Sequence, residues 1–103
     1  APSIEIVATG SEVSLALAAA AALRADGHDV RVVSAVDRSR YAPDPDATTI
    51  SIEAGSTATW SRLVDLAIGI DEFGHSGPGG EVLAHHGFTV DAVLRKIREH
   101  LAR

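Results

Sequence analysis

Two stretches of the chain bring together side chains whose types could do chemistry. The first is Thr9-Gly10-Ser11-Glu12, a turn between an apolar run and a helix-like pattern. Backbone amides at a helix start can hold an anion, so Thr9, Gly10 and Ser11 are a candidate anion site. The tetrad lacks the G-x-G-x-x-G spacing and a P-loop lysine, and it puts a carboxylate where an anion would sit. Ser11 acting as a helix cap accounts for it without a ligand. The second stretch runs from Asp71-Glu72-Phe73 into the Gly/Pro loop Gly74-His75-Ser76-Gly77-Pro78-Gly79-Gly80. Asp71, Glu72 and His75 form a local acid and histidine cluster after an apolar run, the place where α/β sites gather. Ser76 next to His75 is not a G-x-S-x-G elbow, and sequence adjacency does not create triad geometry. Glycines let the backbone approach a neighbour closely. Asp71, Phe73, Gly74, His75, Ser76 and Pro78 are therefore candidate assembly residues, with a core position for Phe73 as the competing reading.

The remaining chemistry-bearing residues read as structural. His85 and His86 are adjacent, so on a helix they diverge by about 100° and do not share a metal easily. His28 falls in a turn, and His100 near the end of a helix, where positive charge is favoured. Neither has a partner at the spacing a zinc-binding helix uses. Trp60, with Leu63 three residues on, suits packing better than a stacking platform. The basic residues Arg95, Lys96, Arg98 and Arg103 are interleaved with Glu99, as on a solvated helix face. On this reading the chain has no catalytic, cofactor-binding or metal-ligating residues.

The elements that must position these residues follow from periodicity. Ile4 to Ala8 is a β-branched run ended by turn residues, a buried strand. Val13, Leu17, Ala20 and Leu23 recur at steps of three and four, which predicts a helix with that stripe inward, ending at Gly27 in a left-handed cap. Val30 to Val33 is a second strand, so the first third of the chain is a βαβ unit with a right-handed crossover. Asp37 to Asp46 is polar with two prolines and reads as a surface loop with room for one helical turn. Thr49 to Ala54 is a third strand, and Ser56 or Thr57 caps a short helix through Trp60 and Leu63. Leu66 to Ile70 is a fourth strand. Helices follow near Glu81 to His85 and from Val90 to Leu101, the last burying Val90, Val93, Leu94, Ile97 and Leu101. The class is a layered α/β domain with a mainly parallel sheet of four or five strands, residues 1–103 forming one domain.

Composition sets the outer bounds. The 103 residues carry 9 Lys+Arg against 14 Asp+Glu, a net charge of −5, which argues against a nucleic-acid footprint or a basic membrane-binding face. With 46% hydrophobic and 22% charged residues the chain is not of the disordered class. No apolar run approaches the ~20 residues of a bilayer span. The absence of Cys removes disulfides, thiolate metal sites and cysteine nucleophiles. Ala1-Pro2-Ser3-Ile4-Glu5 has no basic stretch leading into an apolar one, so no signal peptide is expected and a cytoplasmic location is.

Five motifs, in order, resemble the C-terminal domain of transketolase. They are Ile6-Val7-Ala8-Thr9-Gly10-Ser11-Glu12-Val13; Val30-Arg31-Val32-Val33-Ser34; Ile52-Glu53-Ala54-Gly55; Asp71-Glu72-Phe73-Gly74-x-Ser76-x-Pro78; and His86-Gly87-Phe88-Thr89-Val90. Trp60 also fits the helix after Glu-Ala-Gly. The resemblance implies a three-layer α/β/α domain, the last of three in a homodimeric thiamine-diphosphate enzyme that moves a two-carbon ketol unit between sugar phosphates. In that family the cofactor and Mg²⁺ lie between the first two domains of opposing subunits, and the third supplies no catalytic residue. The implied role is assembly of the dimer and of the interdomain contacts, with the cofactor-binding domains or subunit as partner. No nucleic acid or membrane partner is expected.

The sequence departs from the family in places. The loop after Ser34 is short and ends in Pro43-Asp44-Pro45, there is little room for an edge strand before Ile4, and His75 and Gly79-Gly80 replace the usual residues. The first two domains are not in this sequence, which leaves a cut-out domain and a small subunit of a split enzyme both open. The alternative from another class is a free-standing small-molecule or anion-binding module using Thr9 to Glu12.

Overall fold

The computed structural model describes residues 3–9, 12–35, 40–53, 60, 62–69 and 89–102. Their element order is β1 (Ile4–Ala8), α1 (Glu12–Ala25), β2 (Val30–Ser34), β3 (Thr48–Glu53), β4 (Leu66–Gly69) and α2 (Val90–Leu101). The four strands form one parallel sheet in the order β2-β1-β3-β4. β1 is central and buried along its whole length, as expected of a parallel strand covered on both faces. Ile4 pairs with Val30 on one side and Thr48 on the other.

Side chains alternate across the sheet and sort it into two faces. On the first, Ile4, Ile6, Ala8, Val30, Ile50, Ile52 and Ile68 pack under both helices. On the second, Val7, Ala35, Trp60 and Val64 form a smaller cluster, flanked by Val33, Tyr41, Leu63 and Ala67. Among the described residues no helix lies over this second face. It is covered by the connection carrying Tyr41 and by the turn in which Leu63 N and Val64 N donate to Trp60 O, at 2.8 and 3.2 Å. The helices expected around Ser56 and from Glu81 to His85 lie wholly or largely outside the described residues.

The expected inner stripe of α1 needs correction. Ala16, Ala19, Ala20 and Leu23 are the buried residues, whereas Leu17 is 53% exposed. In a helix that is apolar all round, periodicity alone does not select the inner face. The set 16, 19, 20, 23 keeps the i, i+3, i+4, i+7 spacing and turns three alanines and Leu23 into the core. The helix ends as expected: Gly27 has φ +101, His28 N donates to Leu23 O at 3.1 Å, and Gly27 N donates to Arg24 O at 3.0 Å. This pair of bonds satisfies the last carbonyls and needs a residue without a Cβ penalty.

α2 has the predicted span. Thr89 caps it, its hydroxyl accepting from Ala92 N at 3.2 Å. Val93, Leu94 and Ile97 are buried, with Val90 and Leu101 partly so, as the stripe predicts. Arg98 reaches Asp26 at 3.0 Å and ties this helix to the end of α1. No helix among the described residues is long and apolar enough to cross a membrane.

Candidate functional site

Of the candidate anion residues, Thr9 lies within the described structure, and its carbonyl accepts from Glu12 N at 3.1 Å. Thr9 thus closes the turn into α1. Gly10 and Ser11 lie outside the described residues, as do Asp71, Phe73, Gly74, His75, Ser76 and Pro78 of the assembly loop, and His85 and His86. His28 forms part of the α1 cap, and His100 sits in the last turn of α2. Among the described residues no group of three His, Asp or Glu side chains is placed to hold a metal ion.

The second sheet face carries a charged cluster that reading the sequence did not pick out. Glu5 points into this face and is 2% exposed. Its Oε2 accepts from Arg31 Nη2 at 3.0 Å and from the Asp44 backbone N at 3.3 Å. Arg31 also lies 3.5 Å from Asp44 Oδ2. Burying a carboxylate is costly unless it is paired and hydrogen-bonded, and Arg31 and the Asp44 amide supply both. The hydrogen bond that Arg31 donates to Glu5, then the Glu5 charge, raise the Arg31 pKa above its already high ordinary value. The Tyr41 hydroxyl oxygen is buried with no partner at hydrogen-bonding geometry. Burial, then the nearby Glu5 charge, push its ionisation well above the usual tyrosine range. Register held the signal for this cluster: Glu5 and Arg31 are the second residues of two apolar strands and face each other once those strands pair in parallel.

Further polar ties pin the same face. The Trp60 indole N–H donates to Glu53 Oε2, and the Trp60 and Tyr41 rings meet edge to face, their centroids 5.9 Å apart. Asp65 clasps Thr49: Oδ2 accepts from the Thr49 amide at 2.8 Å and from its hydroxyl at 3.2 Å. Beside the charged cluster a cleft of about 480 Å³ opens between Val33–Ala35 and the Arg40-Tyr41-Ala42 stretch, with Glu5 at its base. This arrangement holds charge and packs rings. Within it the buried carboxylate is already saturated at Oε2.

A parallel sheet in this order, with one apolar helical layer and a second face closed by aromatic residues, defines a layered α/β domain. The family described as "Transketolase-like TK C-terminal domain" matches residues 1–89. The chloroplastic transketolase of Zea mays is 41% identical over 107 residues, covering 90% of this chain and 16% of that protein. Transketolase 1 of Vibrio cholerae is 42% identical over 115 residues, covering 98% of this chain and 17% of that protein. Among solved structures, Pichia stipitis transketolase in complex with sedoheptulose-7-phosphate superposes with a TM-score of 0.73 at 32% identity, covering 98% of this chain and 16% of that one. Leishmania mexicana transketolase gives 0.72 at 36% identity, covering 95% of this chain and 16% of that one.

The chain belongs to the transketolase family, as its C-terminal domain, and has the three-layer α/β/α fold of that domain. It spans between 14% and 22% of the length of the chloroplastic relatives it matches.

Proposed function

We propose that residues 1–103 act as a single domain, either the C-terminal domain or a separate small subunit of a transketolase-type enzyme. That enzyme transfers a two-carbon ketol unit between sugar phosphates. The observation that carries this reading is the match to the transketolase C-terminal domain family over residues 1–89. Structures of the similar Pichia stipitis enzyme in complex with sedoheptulose-7-phosphate and with fructose-6-phosphate support sugar phosphates as the substrates. Thiamine diphosphate and Mg²⁺ are supplied by the cofactor-binding domains or subunit, and this domain contributes no catalytic residue. Its task is assembly of the dimer and of the interdomain contacts, with Asp71, Phe73, Gly74, His75, Ser76 and Pro78 as the docking loop. The enzyme works in the cytoplasm. The free-standing anion-binding module is not favoured, since the relatives are transketolases.

The test measures ketol transfer with thiamine diphosphate and Mg²⁺, first with this chain alone and then with the chain mixed with a two-domain transketolase segment. Activity in the mixture alone supports the assembly role. Activity of the chain alone overturns the non-catalytic assignment. No activity in the mixture, with the chain a stable monomer, overturns the enzyme reading.

A further inference from the structure

We infer that Asp26-Gly27 is a site of spontaneous isoaspartate formation, restrained by the ion pair between Asp26 and Arg98. Asp26 is the one aspartate of the chain that precedes a glycine, and the sequence contains no asparagine. In this modification the backbone nitrogen of the following residue attacks the aspartate Cγ. A side chain on that residue crowds the attack, and glycine has none. The space around Gly27 is open as well, since a side-chain carbon there would meet nothing within 4 Å. Water and local movement both reach the pair. Asp26 is 40% exposed, Gly27 is exposed, and they sit at the end of α1, where helices fray.

Two contacts oppose the reaction. Gly27 N donates to Arg24 O at 3.0 Å. Asp26 Oδ2 lies 3.0 Å from Arg98 Nη2 and accepts from Arg98 Nε at 3.1 Å. Ring closure forms the bond from Gly27 N to Cγ, and one carboxyl oxygen leaves as water with the amide proton and a proton from solvent. The first contact is lost with that amide proton. The second is lost with the carboxylate charge, because the product is a neutral five-membered imide. Water then reopens the ring. Cleavage of the bond from Gly27 N to Cγ restores aspartate, whereas cleavage of the bond from Gly27 N to the Asp26 main-chain carbonyl carbon leaves isoaspartate. Isoaspartate adds one carbon to the main chain between α1 and β2. The bonds that Gly27 N and His28 N make to the end of α1, and the reach from Asp26 to Arg98, are set for the shorter chain. The modification therefore loosens the cap of α1 and its tie to α2.

The experiment incubates the folded chain at neutral pH, well below its unfolding temperature, and reads isoaspartate with an isoaspartyl methyltransferase and labelled S-adenosylmethionine. Peptide mapping then locates the label. The wild-type chain is expected to accumulate isoaspartate slowly at residue 26. Asp26→Glu is expected to remove the signal, because its imide needs a less favoured six-membered ring. Arg98→Ala is expected to raise the rate about two- to fivefold, the effect of losing an exposed ion pair, and Arg98→Lys to stay near wild type. Arg95→Ala, which removes an exposed cation elsewhere on α2, is expected to leave the rate unchanged. Isoaspartate absent from residue 26 in wild type and Arg98→Ala alike overturns the site. An unchanged rate in Arg98→Ala, or an equal rise in Arg95→Ala, overturns the restraint by Arg98.

Discussion

Glu5 and Arg31 face each other across the parallel pairing of β1 and β2, and Arg31 Nη2 lies 3.0 Å from Glu5 Oε2. The two ends of this pair live in different solvents. The carboxylate is 2% exposed, while the Arg31 side chain is 50% exposed. The desolvation cost therefore falls on Glu5, and the pair holds mainly because Arg31 and the Asp44 amide offset that cost.

This asymmetry predicts the outcome of removing either end. Arg31→Ala strands a buried carboxylate, whereas Glu5→Val combined with Arg31→Ala removes the buried charge as well. The single variant is expected to unfold at lower temperature than the double. Circular dichroism melts of the two decide the matter, and a double variant less stable than the single would count against it.

Tyr41 should make the fold sensitive to alkali. Burial and the Glu5 charge hold its pKa above the ordinary 10.0, with Asp44 acting in the same direction and Arg31 against it. Above pH ~10 the unfolded chain loses this proton while the fold retains it. The unfolded state then binds fewer protons, so stability falls as pH rises; below that pH both states are protonated and this group adds no slope. Tyr41→Phe is expected to flatten the decline. Tyr41 is the single tyrosine of the chain, so its absorbance titration reads this group directly. An ordinary midpoint in the folded protein would refute the account.

Trp60 is 2% exposed and anchors the second face through its rings and its bond to Glu53. Trp60→Ala is expected to cost about 3–5 kcal/mol, read from urea unfolding, through the cavity it leaves. Trp60→Phe should cost less, since a ring remains to meet Tyr41 and only the indole N–H bond to Glu53 is lost.

The corrected face of α1 is checked by paired substitutions. Ala20→Leu forces extra volume against the sheet and is expected to cost roughly 1–3 kcal/mol. Ala18→Leu and Leu17→Ala, on the exposed side, should each stay within about 0.5 kcal/mol. A large loss from Leu17→Ala would restore the original stripe.

Local signals made β1, α2 and the Gly27 cap readable, because each is set by residues close in the chain: a β-branched run, a strong apolar stripe with Thr89 ahead of it, and a glycine where φ must be positive. The start of β3 at Thr48 rather than Thr49 depends on pairing with Ile4, which no local pattern reports. Periodicity does not pick out the inner face of α1 because alanines surround that helix: Ala16 and Ala19, rather than Leu17, join Ala20 and Leu23 in the core. The Glu5, Arg31, Tyr41 and Asp44 cluster was missed for a related reason. Its members come from three separate segments and become neighbours through the pairing of β1 with β2 and the path of the connection that carries Tyr41 and Asp44. Of the residues singled out for chemistry, Thr9 serves the turn into α1, and the rest of the anion and assembly sets lie outside the described residues.

The central place of β1 bears on how the polypeptide acquires its fold. β1 precedes both β2 and β3 in the chain, yet both its sides must be occupied, and Ile4 waits for Thr48 to complete its second ladder. A nascent chain that has released β1, α1 and β2 presents a bare strand edge until β3 arrives, the state most prone to pair with another molecule. Pairing between strands so far apart in sequence is slow. Truncations ending before residue 48 should therefore collect as aggregates rather than as smaller soluble domains.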